Sequence, residues 1–157
     1  MTASHRPGLI VLAALLAAGA VARAEELVKV TVVAVLASDR HAKVDPRLQE
    51  LARELQKRDP TLTGFRVGRV TVLPLKVGQK DTFPLTDDAS AEVTLLQPEG
   101  KEQKTRLSIK PPQMGEFVIE TCCGKFFPIF TRYRTEKGQE QLILAVMVKP
   151  CPKKEKP

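Results

Sequence analysis

The sequence predicts an α+β domain that is mostly antiparallel β, with about seven to eight strands and one amphipathic helix near the N-terminus of the mature chain. Two stretches, 27–37 and 141–149, are apolar on both faces when they are placed on an extended strand, so each needs cover on both sides. Between them lie one helical pattern and a series of short extended segments separated by turn residues. One helix of about 13 residues cannot cover both strands, which favours a two-sheet sandwich over an open sheet with the helix packed on it.

The stretch from Gln141 to Cys151 is the strongest strand pattern in the chain. Alternate positions on both faces are apolar, with Leu142, Leu144, Val146 and Val148 on one face and Ile143, Ala145 and Met147 on the other. Pro150 and Pro152 end the strand, because proline lacks the N–H that a sheet ladder needs. The stretch Leu27–Ala37 becomes apolar on both faces toward its C-terminal end, which predicts a second central strand.

A helix is predicted to begin at Asp45-Pro46 and to end at Asp59-Pro60. Aspartate caps the first free N–H groups, proline suits the first helical position, and the residue before a proline avoids helical geometry. The buried face repeats at helical spacing through Leu48, Leu51, Ala52 and Leu55. On the outer face, Glu54 is expected to pair with Arg58 one turn later.

From Gly64 onward the pattern is that of short strands. The segment Phe65–Val77 shifts its apolar face around Gly68, which predicts a bulge or kink there. The other predicted strands are Thr82–Thr86 at an edge, Ala91–Leu96, Thr105–Lys110, Met114–Thr121 and Phe126–Arg134. Five of the seven aromatic residues of the mature chain lie between Phe117 and Tyr133, and they are expected to be core.

Residues 1–24 read as a signal peptide. A short polar start is followed by the apolar run Leu9–Val21, which is too short to span a bilayer, and Ala22-Arg23-Ala24 has the small residues of a cleavage site. The chain then divides into 1–24 as signal peptide, 25–149 as one β-rich globular domain and 150–157 as a basic tail of proline and lysine. An uncleaved signal anchor is the alternative. The expected location is periplasmic or extracellular, with no stable membrane span after signal cleavage.

Charge and composition argue against a nucleic-acid binder. The net charge of the whole chain is +7, and two of the arginines leave with the signal peptide. The remaining basic residues are spread along the chain apart from the tail, and there is no tryptophan and one tyrosine. Nucleic-acid binders usually cluster their basic residues with stacking aromatics. No nucleic-acid partner is predicted.

The three cysteines predict a disulfide. An exported domain meets an oxidising environment, so a bridge from Cys151 to Cys123 or to Cys122 is expected, with Cys123 favoured because Gly124 frees the turn beside it. Such a bridge closes a loop of about 29 residues and contributes about 3–4 kcal/mol. A thiol or metal site for copper or zinc built on the cysteine pair is the alternative, although the spacing typical of zinc ligands is absent.

Catalytic patterns are missing from the sequence. His41 is the single histidine after the signal peptide and is expected to lie exposed in a polar loop. Asp87-Asp88 resembles a loop cap more than a catalytic pair, and there is no nucleophile elbow, zinc-protease motif or P-loop. The sequence therefore predicts a protein that is not an enzyme and that needs no metal and no cofactor, with a small hydrolase as a minor hypothesis.

The segments LASDR, VDPRLQELARELQK and LTGFRV, followed by KFFPIFTRY and LILAVMVKPC, resemble a family of small exported bacterial proteins of unknown function. The resemblance covers most of the mature chain. It implies export and a single domain, and it implies no activity and no site residues.

The predicted function is that of an exported, non-enzymatic envelope or secreted domain that binds a protein or polymer partner. Sheet edges and the exposed face of the strand Thr105–Lys110 are the candidate surfaces. On that strand the polar residues Arg106, Ser108 and Lys110 alternate with apolar ones, so one face is expected to be wet.

Overall fold

The computed structural model describes residues 26–98, 104–122 and 124–149. The predicted signal peptide, the tail 150–157, and two of the three cysteines of the predicted disulfide, Cys123 and Cys151, lie outside the described residues. In chain order the elements are β1 Val28–Ser38, a 3₁₀ turn Pro46–Leu48, α1 Gln49–Arg58, β2 Gly64–Leu75, β3 Lys80–Pro84, β4 Ser90–Leu96, β5 Thr105–Lys110, β6 Phe117–Thr121, β7 Phe127–Arg134 and β8 Gln141–Lys149.

The described strands form two four-stranded antiparallel sheets. The first sheet has the order β2-β1-β8-β7, and the second has the order β3-β4-β5-β6, in which each strand pairs with its neighbour in sequence. The predicted class, mostly antiparallel β with one short helix, is therefore confirmed. The helix lies between β1 and β2.

The two strands with two apolar faces are the central pair of the first sheet. β1 and β8 pair along nine residues, from Lys29 opposite Lys149 to Ala37 opposite Gln141. All positions from 142 to 146 of β8 are buried, as are all positions of β1 from Val32 to its end. Both predictions of a central strand are confirmed.

Different elements pack against the two faces of the β1–β8 pair. On one face, one apolar cluster joins the first sheet to the second and includes Val32, Leu144, Val93, Leu107 and Ile109. On the other face, a second cluster joins the first sheet to the helix region. Its members are Val33, Val35, Ala37, Leu48, Ala52, Leu55, Leu62, Phe65, Ile143 and Ala145.

The helix begins and ends where the sequence predicts. The carboxylate of Asp45 accepts a hydrogen bond from the backbone N–H of Arg47 at 2.9 Å, and the first turn is 3₁₀ before the α-helix starts at Gln49. The Arg47 side chain also bonds this carboxylate, and these hydrogen bonds lower the pKa of Asp45 to about 2. On the outer face the Lys57 ammonium donates to the Glu54 carboxylate at 2.9 Å. Glu54 therefore pairs with the residue three positions later and not, as predicted, with Arg58.

The aromatic cluster near the C-terminus is only partly core. Tyr133 is buried, and Phe117, Phe127 and Phe130 pack against the clusters at their margins. Phe126 is 41% exposed, so the prediction that all five are core is wrong for this residue. It lies just before β7, in the connection that crosses between the sheets.

Substitution of Gly64 by alanine is expected to lower the free energy of unfolding by about 1–3 kcal/mol, because a side chain there overpacks the start of β2. An added Cβ would meet the ring of His41 and would lie 2.8 Å from the His41 carbonyl oxygen, which cannot turn away as a side chain could. Urea unfolding followed by circular dichroism measures the change. Gly115→Ala is the matched control, since no heavy atom of the described residues lies within 4 Å of its added Cβ. Equal effects of the two substitutions would contradict the prediction.

Candidate functional site

A cleft of about 650 Å³ lies at the end of the molecule where β2 begins and the β7–β8 connection turns. We call it the polar cleft. Its lining comes from both sheets: Leu36 of β1; Arg66, Gly68 and Arg69 of β2; Leu85, Thr86, Asp87 and Asp88 between β3 and β4; Tyr133 of β7; and Thr135, Glu136, Lys137, Gly138 and Glu140 at the β7–β8 connection. Leu36 and Leu85 are buried apolar residues, whereas most of the other lining residues are polar or charged.

The bulge in β2 aims two arginines at the polar cleft. Val67 pairs with Val35 and Arg69 with Ala34, so Gly68 is the extra residue that the pairing passes over. Residues three apart normally point to opposite faces of a strand, but the added residue brings Arg66 and Arg69 to the same face. The bulge predicted at Gly68 is therefore confirmed, and it determines which charges enter the cleft.

Arg66 pairs with Glu140, which is the most buried charged residue that lines the polar cleft. Its Nε and Nη2 donate to the two carboxylate oxygens of Glu140 at 2.7 and 2.8 Å, a bidentate pair. The Glu140 side chain is 11% exposed and that of Arg66 is 55% exposed. The hydrogen bonds to Glu140 raise the pKa of Arg66. Bidentate pairs of this kind are geometrically specific, so this one joins β2 to the entry of β8 across β1.

The turn before β8 places Glu140. The backbone N–H of Glu140 donates to the Thr135 hydroxyl at 3.1 Å, and the Thr135 N–H donates to the Glu140 carbonyl at 2.9 Å. These two hydrogen bonds join the two ends of the β7–β8 connection, Thr135 and Glu140. The carboxylate is thereby directed toward β2, away from the solvent side of the turn.

Asp88 is the second acid that the fold holds in place. Its Oδ1 accepts hydrogen bonds from the Tyr133 hydroxyl and, at 2.9 Å, from the Thr86 hydroxyl. The bond from Tyr133 is the main cause of the lowered pKa of Asp88, and the bond from Thr86 adds to it. The same contact raises the pKa of Tyr133. Asp88 thus joins the second sheet to β7 of the first sheet.

The remaining charges lie at the rim. Arg69 Nη2 lies 3.9 Å from Asp87 Oδ1, and the side chain of Asp87 is fully exposed. Glu136 and Lys137 are exposed at the tip of the β7–β8 connection. The polar cleft therefore presents positive and negative groups side by side around an apolar floor. The buried carboxylate of Glu140 and the exposed carboxylate of Asp88 are already hydrogen bonded.

Substitution of Tyr133 by phenylalanine is expected to raise the pKa of Asp88 toward its usual value, because the largest of its stabilising hydrogen bonds is lost. A carboxylate with a lowered pKa stabilises the fold above the unfolded-state value of about 3.9, and this stabilisation is lost as the pH falls through the folded-state pKa. The variant should therefore lose stability near neutral pH and differ less from the wild type in acid. Carbon-detected NMR titration of Asp88 measures the shift. Thr86→Val should give a smaller rise, and the reverse order would contradict this assignment.

The partner surface predicted from the sequence lies elsewhere. Arg106, Ser108 and Lys110 are neighbours on the face of β5 that points away from the shared core, opposite Glu120, Val118 and Glu92 on the flanking strands. Lys110 is exposed, whereas Ser108 is 8% exposed and donates to Glu116 Oε1 at 2.7 Å. The structure brings the three residues together, but Glu116 covers Ser108. A partner on this face would therefore contact Lys110 and the exposed part of the Arg106 side chain.

Of the other candidate site residues that the sequence offers, the structure describes Cys122 and His41. Cys122 is exposed after β6, while Cys123 and Cys151 lie outside the described residues, so the predicted disulfide stays a prediction. His41 is exposed, as expected, and its Nδ1 accepts a hydrogen bond from the Lys43 N–H at 3.2 Å. Among the described residues, no group of three or more histidine, cysteine or acidic side chains is arranged to hold a metal ion.

Comparison with family models, with curated proteins and with solved structures finds no match to this chain. Within the described ranges, no helix combines the length and the apolar content that a membrane crossing needs.

Proposed function

We propose that this chain is an exported, non-enzymatic binding domain, and that the polar cleft receives a charged segment of a protein partner. The single observation that carries the proposal is the mixture of signs in the polar cleft. Arg66, Arg69 and Lys137 stand among Asp87, Asp88, Glu136 and Glu140. A polypeptide segment with both acidic and basic side chains complements such a surface, whereas a polymer of one sign would meet repulsion from part of it.

The state of the Glu140 and Asp88 carboxylates supports binding over catalysis. A general acid must be protonated near neutral pH, which requires a raised pKa. The pKa of Asp88 is instead lowered by Tyr133 and Thr86, and Glu140 is engaged by Arg66 on both oxygens. The lowered pKa keeps Asp88 charged near neutral pH, and hydrogen bonds fix the positions of both carboxylates, which suits recognition of a partner.

A two-sheet sandwich is part of the same proposal. The apolar cluster that includes side chains from both sheets supports it, because sheets that pack face to face bury such a common core. In a sandwich the polar cleft is an opening between the two layers at one end. A rigid frame of this kind would hold the rim charges at fixed separations.

Selection from a random peptide library displayed on phage tests the proposal with the purified protein. Enriched peptides should contain both basic and acidic residues and should bind the wild type. The variant Arg69→Ala/Asp87→Ala, which removes the rim pair, should weaken the enriched peptides about fivefold, or about 1 kcal/mol.

The matched control for this experiment is Lys80→Ala/Glu92→Ala. It removes a pair with the same 3.9 Å separation from the outward face of the second sheet. The double variant Arg106→Ala/Lys110→Ala tests the surface predicted from the sequence. If either of these variants loses peptide binding while the rim variant retains it, the binding surface lies on the second sheet and not at the polar cleft. Failure to enrich any peptide would overturn the proposal of a protein partner.

A further inference from the structure

The end of the first sheet opposite the polar cleft carries a row of strand termini. β1 begins and β8 ends there, with Lys29 directly opposite Lys149, and β2 ends there, with Leu75 opposite Val28. The connection into β7 returns to the same end, since the Gly124 N–H donates to the Val148 carbonyl at 3.1 Å. Both the first and the last described residues of the chain therefore lie at this end.

Large apolar side chains are exposed along this row. Leu27 precedes β1, Val77 follows β2 and Phe126 precedes β7, and they are 47, 50 and 41% exposed. Phe126 also lines a pocket of about 220 Å³ on the helix side of the first sheet, with Leu51 and Val70. They make up half of the six large apolar residues that are exposed in the described part of the chain. Exposed apolar groups are ordinary when they are scattered, but a group of them at one end indicates a contact surface.

Lysines stand between these apolar side chains. Lys29, Lys125 and Lys149 are exposed, and none of the three forms an ion pair with a described residue. The acid Glu26, the first described residue, is also exposed at this end, so three positive charges stand there against one negative charge. Like charges directly opposite each other on neighbouring strands destabilise a sheet, so the Lys29–Lys149 pair does not serve folding. We call the six residues Leu27, Lys29, Val77, Lys125, Phe126 and Lys149 the lysine end.

We propose that the lysine end docks on the surface of a lipid bilayer that contains anionic lipids. Lysines beside an anionic membrane are attracted to its headgroups, and each one strengthens binding about fivefold. Apolar side chains between them gain by entering the interfacial region of the bilayer, as in other proteins that lie on membranes. A purely anionic polymer would attract the lysines but leave Leu27, Val77 and Phe126 in water. The presence of lysines together with exposed apolar side chains therefore favours a bilayer.

Docking at the lysine end leaves the polar cleft open. β1 runs from Val28 at the lysine end to Leu36 at the cleft, about 26 Å at the usual rise per residue of a strand. The cleft would therefore face away from the membrane. This inference does not depend on the proposed function, because no residue is shared between the two surfaces.

Flotation of the purified protein with vesicles tests the inference. With vesicles of phosphatidylcholine and phosphatidylglycerol the wild type is expected to float at low salt and to float less at high salt, and with phosphatidylcholine alone it is expected to stay at the bottom. Lys29→Glu/Lys149→Glu keeps a like-charged pair in the sheet but should reduce vesicle binding at least 25-fold. Val77→Ser/Phe126→Ser should also weaken binding, while the salt dependence remains.

The matched control is Lys43→Glu/Arg132→Glu, which changes the net charge equally at exposed positions outside the lysine end. It is expected to bind vesicles nearly as the wild type does, and so is Arg69→Ala/Asp87→Ala, the cleft variant. Failure of the wild type to float, an equal loss in both charge variants, or unchanged binding of the serine variant would each overturn the inference. Retention on a heparin column without vesicle binding would identify an anionic polymer as the partner and overturn it as well.

Discussion

Replacing Phe65 with alanine is expected to lower the free energy of unfolding by about 3–5 kcal/mol, the range for truncation of a large buried aromatic side chain. Phe65 is 1% exposed and belongs to the cluster between the helix and the first sheet. Its backbone is also bonded on both sides of the residue: its N–H donates to the Lys43 carbonyl, and its carbonyl accepts from the Asp45 N–H, each at 2.9 Å. A cavity at this position would loosen the packing of the helix on the sheet.

Urea unfolding monitored by circular dichroism measures this loss, since the chain has no tryptophan to report by fluorescence. Phe126→Ala is the matched control, because it deletes the same atoms from a side chain that is 41% exposed. We expect the control to change stability by less than about 1 kcal/mol. Similar losses in the two variants would contradict the prediction, because the buried ring of Phe65 would then contribute no more than a partly exposed one.

Replacing Arg66 with methionine is expected to lower the free energy of unfolding by about 1–2 kcal/mol. The substitution leaves the nearly buried carboxylate of Glu140 without its bidentate partner, and removal of one member of a fully buried pair costs about 3–5 kcal/mol. The expected loss is smaller here because more than half of the Arg66 side chain is in water, which screens the charges.

Two further variants separate the lost pair from lost packing. Arg66→Met/Glu140→Leu removes both charges and should recover part of the stability, because no charge then remains at the buried position. Arg69→Met breaks an exposed contact of 3.9 Å and should change stability by less than about 0.5 kcal/mol. A double variant that is less stable than Arg66→Met would show that the Glu140 carboxylate has another partner.

Most of the secondary structure was predictable because it depends on short patterns. Two-sided apolar alternation identified β1 and β8, and the prolines around Cys151 marked the exit of the last strand. Asp45-Pro46 marked the start of the helix region, and an isolated glycine between shifted apolar faces marked the bulge in β2. Each of these signals lies within a few residues, so no knowledge of distant contacts was needed.

The polar cleft was not predictable in the same way. The sequence favours a loop cap at Asp87-Asp88, which is right for the bond between Thr86 and Asp88 but does not indicate the bond from Tyr133. Arg66 and Glu140 carry no local sign of their pairing, because they lie 74 residues apart and each resembles an ordinary surface charge in the sequence. The available signal was the position of Glu140, an acid placed directly before a strand that is buried on both faces.

Side-chain exposure on the outer strands also escaped prediction. Strand alternation placed Ser108 on the wet face, yet Glu116 from the next connection folds over it. The aromatic pattern predicts core throughout, yet Phe126 precedes its strand, is 41% exposed and lines a pocket beside Leu51 of the helix. Alternation assigns a residue to a face, but the neighbours that cover that face come from other segments.

The sequence by itself determined the strands, the helix and the class of the fold, because apolar periodicity, caps and prolines act over a few residues. Only the tertiary structure decided that β1 and β8 lie side by side, and that pairing places Arg66 near Glu140 and Lys29 opposite Lys149. Pairing between strands separated by more than a hundred residues depends on the burial of two whole faces at once. No local pattern carries that information, so the positions of both candidate surfaces are properties of the fold.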